Sequence, residues 1–373
     1  MNERCMPQIR KSESLMERSP VAISALIATA HALMAKGKGL LAMDESVSTC
    51  NRRFAAFGIA QTWESRRRYR DLLVTTPGLS GAISGAILFD ETLQQRTDAG
   101  TPIVEVLRLA GIMVGIKVDA GAQPLAAHPG ERITEGLDGL RERLQQYAAA
   151  GVRFAKWRAV LILGDGLPSS SAIASNAHAL ARYAALCQEA GLVPIVEPEV
   201  VMDKGQSLAS CGAVTAEVLQ RVFEELYRQR VSLEAMLLKP NMVLPSLTYA
   251  TAPSLTAVAD ATLDCLMRTV PPAVAGIALL SGGQPDQLAT ARLNAMHQRA
   301  RTQDATEPSR PDLPWPLTFS FGRALQQVPL KIWAGNDANR AAAQQALLHR
   351  ARMNGAAATG TYHDGMEAQD RLP

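Results

Sequence analysis

Residues 235–241 read Ala-Met-Leu-Leu-Lys-Pro-Asn: an apolar run that ends on a lysine and is followed at once by a proline. The run predicts a buried strand over Ala235–Leu238, which Pro240 ends. An amine held at the mouth of such a strand loses hydration, which favours its neutral, nucleophilic form. The alternative is a lysine whose stem lies in the core while its ammonium group reaches water.

The same pattern recurs along the chain, with amphipathic segments such as Leu137–Tyr147, Asn176–Ala190 and Ala216–Gln229 between the apolar runs. Alternating strands and helices predict an α/β fold with a parallel sheet and helical crossovers. Eight runs favour a closed (β/α)8 TIM barrel over an open doubly wound sheet. The runs are Gly39–Met43, Ile83–Phe89, Ile112–Val118, Phe154–Leu163, Leu192–Val196, Ala235–Leu238, Val274–Leu280 and Leu317–Phe321.

No shift in composition marks a domain boundary, so we expect a single domain over residues 1–373. Residues 1–20 are predicted as an N-terminal helical extension and residues 356–373 as a mobile C-terminal tail. The segment Arg301–Pro314 contains Glu-Pro-Ser-Arg-Pro at 307–311 and predicts an exposed loop before the last strand.

Charge and cysteine usage exclude several classes of protein. The 373 residues carry 38 basic and 35 acidic side chains, a balance that predicts neither a nucleic-acid partner nor a membrane surface. Five dispersed cysteines without a C-x-x-C pair indicate reduced thiols. We find neither a signal peptide nor an apolar stretch that could cross a bilayer, so we expect a cytoplasmic protein.

Charged side chains stand where the predicted strands end, and in a TIM barrel these ends meet at the catalytic face. Residues two apart on a strand share a face, so each pair is expected to project together. Any one pair could be a solvated strand end or an acidic turn, but a mixed-sign cluster at a core mouth is hard to attribute to packing. The set is Asp44, Lys117, Asp119, Lys156, Arg158, Glu197, Glu199 and Lys239.

Glycines after the last two strands indicate a phosphate site. Ser281-Gly282-Gly283 follows the seventh run, and Ser320-Phe321-Gly322-Arg323 stands at the end of the eighth. Backbone N–H groups of these two loops bind phosphate in many barrels, and Arg323 would add a bidentate donor. Without the arginine, ordinary turn glycines would explain the pattern equally well.

Other chemistries have weaker support. Gly37-Lys38-Gly39-Leu40-Leu41-Ala42 fits a dinucleotide-binding pattern, but it leads into a strand instead of following one. None of the six histidines stands at a predicted strand end or has ligand-like spacing. We therefore expect no metal, no cofactor and no Ser-His-Asp site.

Nine segments between Gly37 and Tyr362 together resemble the class I, Schiff-base type of fructose-bisphosphate aldolase. Among them are Leu41-Ala42-Met43-Asp44-Glu45-Ser46, Gly115-Ile116-Lys117-Val118-Asp119, Phe154-Ala155-Lys156-Trp157-Arg158, Val196-Glu197-Pro198-Glu199, Leu238-Lys239-Pro240-Asn241-Met242 and Leu280-Ser281-Gly282-Gly283-Gln284. The family is a (β/α)8 barrel, usually a homotetramer, that needs no metal.

The resemblance implies reversible cleavage of fructose 1,6-bisphosphate into dihydroxyacetone phosphate and glyceraldehyde 3-phosphate. It implies that Lys239 forms the Schiff base and that nearby Lys156 lowers the pKa of Lys239. It also implies that Glu197 acts as acid and base and that Asp44 accepts and returns the proton of the C4 hydroxyl. The further residues that it implies are Glu199 and Lys117 for the charge network, Ser281, Gly282 and Arg323 for one phosphate, Arg53 and Thr49 near the other, and Arg158 and Ser320 for binding the phosphorylated substrate.

The chain also departs from the family pattern. Many members end in a tyrosine that assists proton transfer, whereas this sequence ends Arg371-Leu372-Pro373, so we expect slower enamine protonation or another proton donor. Arg52 stands where lysine is commoner. Two alternatives stay open: the same chemistry on sedoheptulose 1,7-bisphosphate or fructose 1-phosphate, and a barrel without turnover that serves as a binding or scaffold protein.

Overall fold

The computed structural model describes residues 20–203, 205–246, 248–249, 252–301 and 312–369. The predicted extension up to residue 19, and all but the ends of the predicted 301–314 loop, lie outside the described residues. Ten strands are described: β1 Gly39–Met43, β2 Ile83–Leu88, β3 Met113–Lys117, β4 Gly121–Pro124, β5 Arg132–Glu135, β6 Phe154–Leu163, β7 Val193–Met202, β8 Leu237–Leu238, β9 Gly276–Leu279 and β10 Leu317–Phe321.

Eight of these strands close into a barrel in the order β1-β10-β9-β8-β7-β6-β3-β2. Every neighbouring pair in the ring is parallel. The predicted TIM barrel is therefore confirmed, and each of its eight strands lies within or over one of the predicted apolar runs.

Helices follow the strands and form the outer layer. Serine and threonine side chains cap several helix N-termini, as at Ser46, Thr62 and Ser169, where the side-chain oxygen accepts a backbone N–H. The helices are α1 Pro20–Leu33, α2 Val47–Ala55, α3 Trp63–Val74, α4 Asp90–Leu93, α5 Ile103–Leu109, α6 Leu140–Ala149, α7 Ser170–Glu189, α8 Leu208–Arg228, α9 Leu255–Thr269, α10 Asp286–Arg301, α11 Arg323–Trp333, α12 Arg340–Ala357 and α13 Gly365–Gln369. Among the helices so described, none is long and apolar enough to cross a membrane.

Three local predictions differ from the structure. Strand β7 continues through Pro198 to Met202, because Glu197-Pro198-Glu199 extends the strand and pairs with β6. Strand β8 is only two residues long, since Leu233–Ala235 forms a 3-10 turn before it. The β4–β5 hairpin was not predicted, because its strands lack a repeating apolar pattern.

Helix α1 closes the amino end of the barrel. Its residues Leu26, Ala30 and Leu33, with Met34 just after it, pack with residues inside the barrel such as Phe154. The fit is close: a Cβ on Gly276 would lie 2.5 Å from the Met34 side chain. The amino end is thus filled by apolar side chains, while the charged residues lie at the opposite end.

The C-terminal segment is described to residue 369 and packs on the outer helices. Tyr362 is buried and donates a hydrogen bond from its hydroxyl to Glu367 at 3.0 Å. Glu367 also accepts two hydrogen bonds from Arg350, at 2.7 and 2.9 Å, and contacts His349 at 3.0 Å. The mobility predicted for residues 356–373 stays a prediction. Motion of this segment would have to break the contacts of Tyr362 and Glu367.

Candidate active site

Lys239 directly follows strand β8 and points into the carboxyl end of the barrel. Its backbone N–H donates to the carbonyl of Val196 at 2.8 Å, which fixes the residue to strand β7. Its side chain is buried, with 3% of the residue exposed. Burial lowers the pKa of the amine to about 8; Asp44 and Glu199 oppose this shift, and Arg158 adds to it. A larger share of this lysine is therefore neutral at pH 7 than of a lysine in water.

Glu197 lies between two buried amines. Its Oε1 is 3.3 Å from Lys239 Nζ, and its Oε2 is 2.9 Å from Lys156 Nζ. The second contact brings opposite charges together without hydrogen-bond alignment, so Oε2 has no hydrogen-bond partner among the described groups. A buried carboxylate in contact with two amines suits proton transfer to or from a group bound beside them.

Lys156 joins this carboxylate to Asp44. Lys156 Nζ donates to Asp44 Oδ2 at 3.0 Å across the barrel, from strand β6 to the end of β1. Burial alone would raise the pKa of Asp44, but Lys156, Lys239 and Lys117 outweigh it and lower the pKa to about 2. Burial also lowers the pKa of Lys156; Asp44 opposes that shift, and the charge of Lys239 adds to it. Burial is the largest cause of the lowered Lys239 pKa, and the cation that adds to it is Arg158, so the expected influence of Lys156 on Lys239 stays a prediction.

A second set of ion pairs completes the ring of charges. Arg158 forms an ion pair with Glu199, and Lys117 with Asp119. Asp119 also accepts the backbone N–H groups of Gly121 at 3.1 Å and Arg158 at 3.2 Å, which holds the strand ends together. The structure therefore brings together all the charged strand-end residues that the sequence analysis selected.

The glycine-rich loop after β9 lies against Arg323. Gly282 and Gly283 have φ of +57° and +78°, a backbone conformation that only glycine adopts readily. A Cβ on Gly283 would lie 2.8 Å from Arg323 Nη2, so the guanidinium group crosses the loop at this point. Close by in sequence, Ser320 is 1% exposed, and its Oγ has no hydrogen-bond partner among the described groups. These groups form a concave cluster of donors suited to an anion.

The other predicted phosphate residues lie at the N-terminus of α2. Ser46 Oγ caps the helix and lies 3.1 Å from Ser48 Oγ and 3.2 Å from Thr49 Oγ1, while Arg52 donates to Thr49 Oγ1 at 3.3 Å. Arg53 instead forms an ion pair with Glu45. The hydroxyl groups and Arg52 thus lie together at the N-terminus of α2, and a helix N-terminus favours anions. The guanidinium group of Arg53 lies against the Glu45 carboxylate.

Two groups near the site were not selected from the sequence. Arg70 is 2% exposed and donates to Glu45 at 2.9 Å, so it sets the direction of that carboxylate beside Arg53. Arg292 on α10 is 8% exposed and donates to Gln284, the residue after the glycine pair. The available signal for Arg292 was an arginine on the apolar stripe of a helix, with Ala289, Leu293 and Met296 as its neighbours.

Metal-binding side chains do not gather at the site. Within the described part of the chain, no three histidine, cysteine, aspartate or glutamate side chains stand together as a metal site. The groups that do gather at the barrel mouth are an amine with a lowered pKa, carboxylates near it, and donors of a kind that suits anions.

Comparisons with known proteins agree with this geometry. The sequence model of the family described as fructose-bisphosphate aldolase class-I matches residues 25–372. A probable fructose-bisphosphate aldolase class 1 of Xanthomonas axonopodis pv. citri is 52% identical over 92% of this chain and 99% of its own. The cytosolic fructose-bisphosphate aldolase 6 of Arabidopsis thaliana is 48% identical, over 90% of this chain and 91% of its own.

A solved structure gives the same picture in three dimensions. Fructose-bisphosphate aldolase of Plasmodium falciparum, crystallised with TRAP and a small-molecule inhibitor, superposes with a TM-score of 0.88. It is 44% identical to this chain, and the match covers 93% of this chain and 97% of the other.

Proposed function

This chain belongs to the class I fructose-bisphosphate aldolase family and is a carbon–carbon lyase of that class, and from this premise we propose that Lys239 forms a Schiff base with the ketone of its substrate. The observation that carries the proposal is the Glu197 carboxylate held between Lys239 Nζ at 3.3 Å and Lys156 Nζ at 2.9 Å. An amine with a lowered pKa next to a carboxylate is the pair of groups that imine formation needs.

Imine formation follows from these contacts. The neutral Lys239 amine attacks the ketone carbon of fructose 1,6-bisphosphate and gives a carbinolamine. Glu197 carries one proton from the amine nitrogen to the alkoxide oxygen, which completes the carbinolamine. A second proton, which Glu197 takes up from solvent, is then donated to the carbinolamine hydroxyl, and this hydroxyl leaves as water. The product is a protonated imine on Lys239, whose positive charge is held among the carboxylates of the site.

Cleavage uses Asp44 at the other end of the network. Its carboxylate, ionised because of its lowered pKa, takes the proton from the C4 hydroxyl of the bound sugar. The C3–C4 bond breaks, its electron pair moves into the imine to give an enamine, and glyceraldehyde 3-phosphate leaves. Protonation of the enamine carbon and hydrolysis then release dihydroxyacetone phosphate and regenerate the Lys239 amine. Lys117, Arg158 and Glu199 keep the charges of the ring balanced meanwhile.

A bisphosphate fits the two anion-binding clusters. Ser281, Gly282, Ser320 and Arg323 bind one phosphate, and Thr49 with the α2 N-terminus binds the other, with Arg53 close by. Fructose 1-phosphate would leave the second cluster empty, so we expect a higher kcat/KM for fructose 1,6-bisphosphate. Sedoheptulose 1,7-bisphosphate would occupy both clusters, and the ratio of kcat/KM for the two bisphosphates measures that preference.

Reductive trapping tests the Schiff base directly. The protein is incubated with dihydroxyacetone phosphate and sodium borohydride, and the modified peptide is identified by mass spectrometry. We expect one adduct, on Lys239, and full activity in the presence of a chelator. The proposal would be refuted by an active enzyme that forms no adduct and loses its activity when a chelator is added. A protein with neither adduct nor turnover would support the scaffold alternative.

Assembly and location follow as part of the same proposal. The protein is a homotetramer of the family type and acts in the cytoplasm without a nucleic-acid or membrane partner. The thiols of Cys50, Cys187, Cys211 and Cys265 are buried and unpaired, as in reducing compartments. Light scattering of the purified protein measures the oligomeric state.

A further inference from the structure

Arg292 is a buried arginine that has no acidic partner among the residues that the structure describes. It is 8% exposed, and its one hydrogen bond among the described residues runs from Nη1 to Gln284 Oε1, at 2.6 Å. Its Nε has no hydrogen-bond partner in the described part of the chain. Arg350 is also buried, but it forms ion pairs with Glu367 and Asp286.

An unpaired guanidinium group is costly to bury. Arginine stays protonated in proteins, so the charge cannot be removed by losing the proton. Burial lowers the pKa of the Arg292 guanidinium group, and no carboxylate among the described residues raises that pKa. A side chain that costs stability at this position is expected to have a role outside packing.

Gln284 connects this arginine to the loop at the barrel mouth. Its Nε2 donates to the carbonyl oxygen of Ser281 at 2.8 Å, and its backbone N–H donates to the same oxygen at 3.1 Å. Its Nε2 also contacts Met242 Sδ at 3.5 Å. The buried Gln284 amide therefore holds the start of the glycine loop and contacts the segment that follows Lys239.

The orientation of the Gln284 amide depends on Arg292. The arginine can only donate, so it fixes the amide with Oε1 towards α10 and Nε2 towards Ser281. A hydrogen bond from a charged donor is stronger than one between neutral groups, which makes this orientation firm. Two hydrogen bonds from Gln284 thus hold the Ser281 carbonyl, directly before Gly282 and Gly283, whose backbone is left-handed. Successive N–H groups in such a turn can form an anion-binding nest.

We propose that Arg292 is a positioning residue that acts through Gln284 to hold the Ser281–Gly283 loop in the conformation that binds a phosphate of the substrate. The inference rests on the proposed function, because it assigns the loop to a phosphorylated ketose. Arg292 touches neither the substrate nor Lys239 and has no part in the covalent steps.

Two ketones that differ only in phosphate separate this role from a structural one. Arg292→Leu and Arg292→Lys are compared with the wild type in borohydride trapping, with dihydroxyacetone phosphate and with unphosphorylated dihydroxyacetone. Arg299→Leu is the matched control, since Arg299 lies on the same helix and pairs with Asp260 on the outside of the barrel. Melting temperatures are measured for every variant.

We expect Arg292→Leu to need about tenfold more dihydroxyacetone phosphate for half-maximal trapping, while its trapping with dihydroxyacetone stays within about twofold of wild type. The KM for fructose 1,6-bisphosphate should rise more than kcat falls, and Arg292→Lys should recover part of the phosphate affinity. Equal changes with both ketones, or a lower melting temperature with unchanged phosphate affinity, would overturn the inference.

A second variant covers the case in which Arg292→Leu does not fold. Gln284→Leu breaks the same connection and should show the same selective loss for the phosphorylated ketone. Where both single variants fold, the double variant should lose no more phosphate affinity than Gln284→Leu alone, because Arg292 acts through Gln284. Independent, additive losses would overturn the inference, as would unchanged phosphate affinity in Gln284→Leu. A wild-type protein that forms no adduct with either ketone would instead refute the proposed function.

Discussion

Glu197 Oε1 lies 3.3 Å from Lys239 Nζ, so the two groups that the proposed imine formation requires are in contact. The contact holds because strand β7 continues past Val196, whose carbonyl also binds the Lys239 backbone. One strand therefore positions both the carboxylate and the amine. The preorganisation is set by backbone pairing, which side-chain substitutions at the site leave intact.

Replacing Lys239 by alanine should remove turnover without unfolding the barrel. The proposed imine forms on this amine, so kcat should fall by roughly 10⁴-fold or more. The measurement is cleavage of fructose 1,6-bisphosphate together with circular dichroism. Lys331→Ala, at an exposed position of α11, is the control and should retain full activity. Residual turnover within tenfold of wild type would move the Schiff base to another lysine.

Glu197→Gln should slow proton transfer while keeping the shape of the side chain. The amide cannot act as acid and base, so we expect kcat to fall by about 10²- to 10⁴-fold. Single-turnover trapping with dihydroxyacetone phosphate should slow by a similar factor, because carbinolamine dehydration precedes the imine. Glu142→Gln on the exposed side of α6 is the control. Normal trapping with impaired cleavage would assign Glu197 to a later step.

The rate of imine formation should rise with pH through a midpoint near 8. The neutral amine is the nucleophile, and the pKa of Lys239 is about 8. The Asp44 carboxylate raises this pKa, so Asp44→Asn should lower it and move the midpoint to lower pH. The test is the initial trapping rate with dihydroxyacetone phosphate, which does not require cleavage, with Asp165→Asn as control. A midpoint that moves to higher pH would contradict the assigned charges.

Gly283→Ala and Gly78→Ala form a matched pair. Both glycines have positive φ, +78° and +74°, so alanine should cost each variant about 1 kcal/mol of stability. Only the Cβ at Gly283 meets Arg323, at 2.8 Å, whereas at Gly78 the nearest contact is an ordinary 3.8 Å. We therefore expect a higher KM for fructose 1,6-bisphosphate in Gly283→Ala alone. Equal KM values in the two variants would separate Arg323 from phosphate binding.

Glu367→Gln should loosen the C-terminal segment. Burial raises the pKa of Glu367, but Arg350, His349 and Tyr362 together lower it below the value in an unfolded chain. Its ionised form therefore stabilises the docked segment above the unfolded pKa, and that stability is lost as pH falls through the folded pKa. Hydrogen exchange over residues 358–369 should accelerate in the variant at pH 7, and in the wild type only in acid. Unchanged exchange would mean that other contacts hold the segment.

The barrel and most of its charged ring could be predicted from the sequence, because both depend on local patterns. A buried strand needs an apolar run. The residue that ends the run, such as Lys239 or Asp44, lies at the barrel mouth irrespective of how the helices pack. The continuation of β7 through Pro198 was not predictable from the residue types, because proline usually ends a strand. It occurs where β7 pairs with β6 but no longer with β8.

Arg292 illustrates what sequence patterns cannot supply. Its importance depends on burial without a carboxylate and on contact with Gln284, and both arise from how α10 packs on the barrel. The different directions of Arg52 and Arg53 have the same origin. The two are adjacent in sequence, yet one reaches Thr49 and the other Glu45, a choice made by the turn of α2.

The apolar layer that α1 builds under the barrel leaves the carboxyl end as the side from which the charged residues can be reached. Leu33 and Met34 pack closely at the amino end, where a Cβ on Gly276 would lie 2.5 Å from the Met34 side chain. In the proposed mechanism the three-carbon fragment stays covalently attached to Lys239 as an enamine, while the aldehyde is free. We therefore expect the aldehyde to leave first, through the carboxyl end of the barrel.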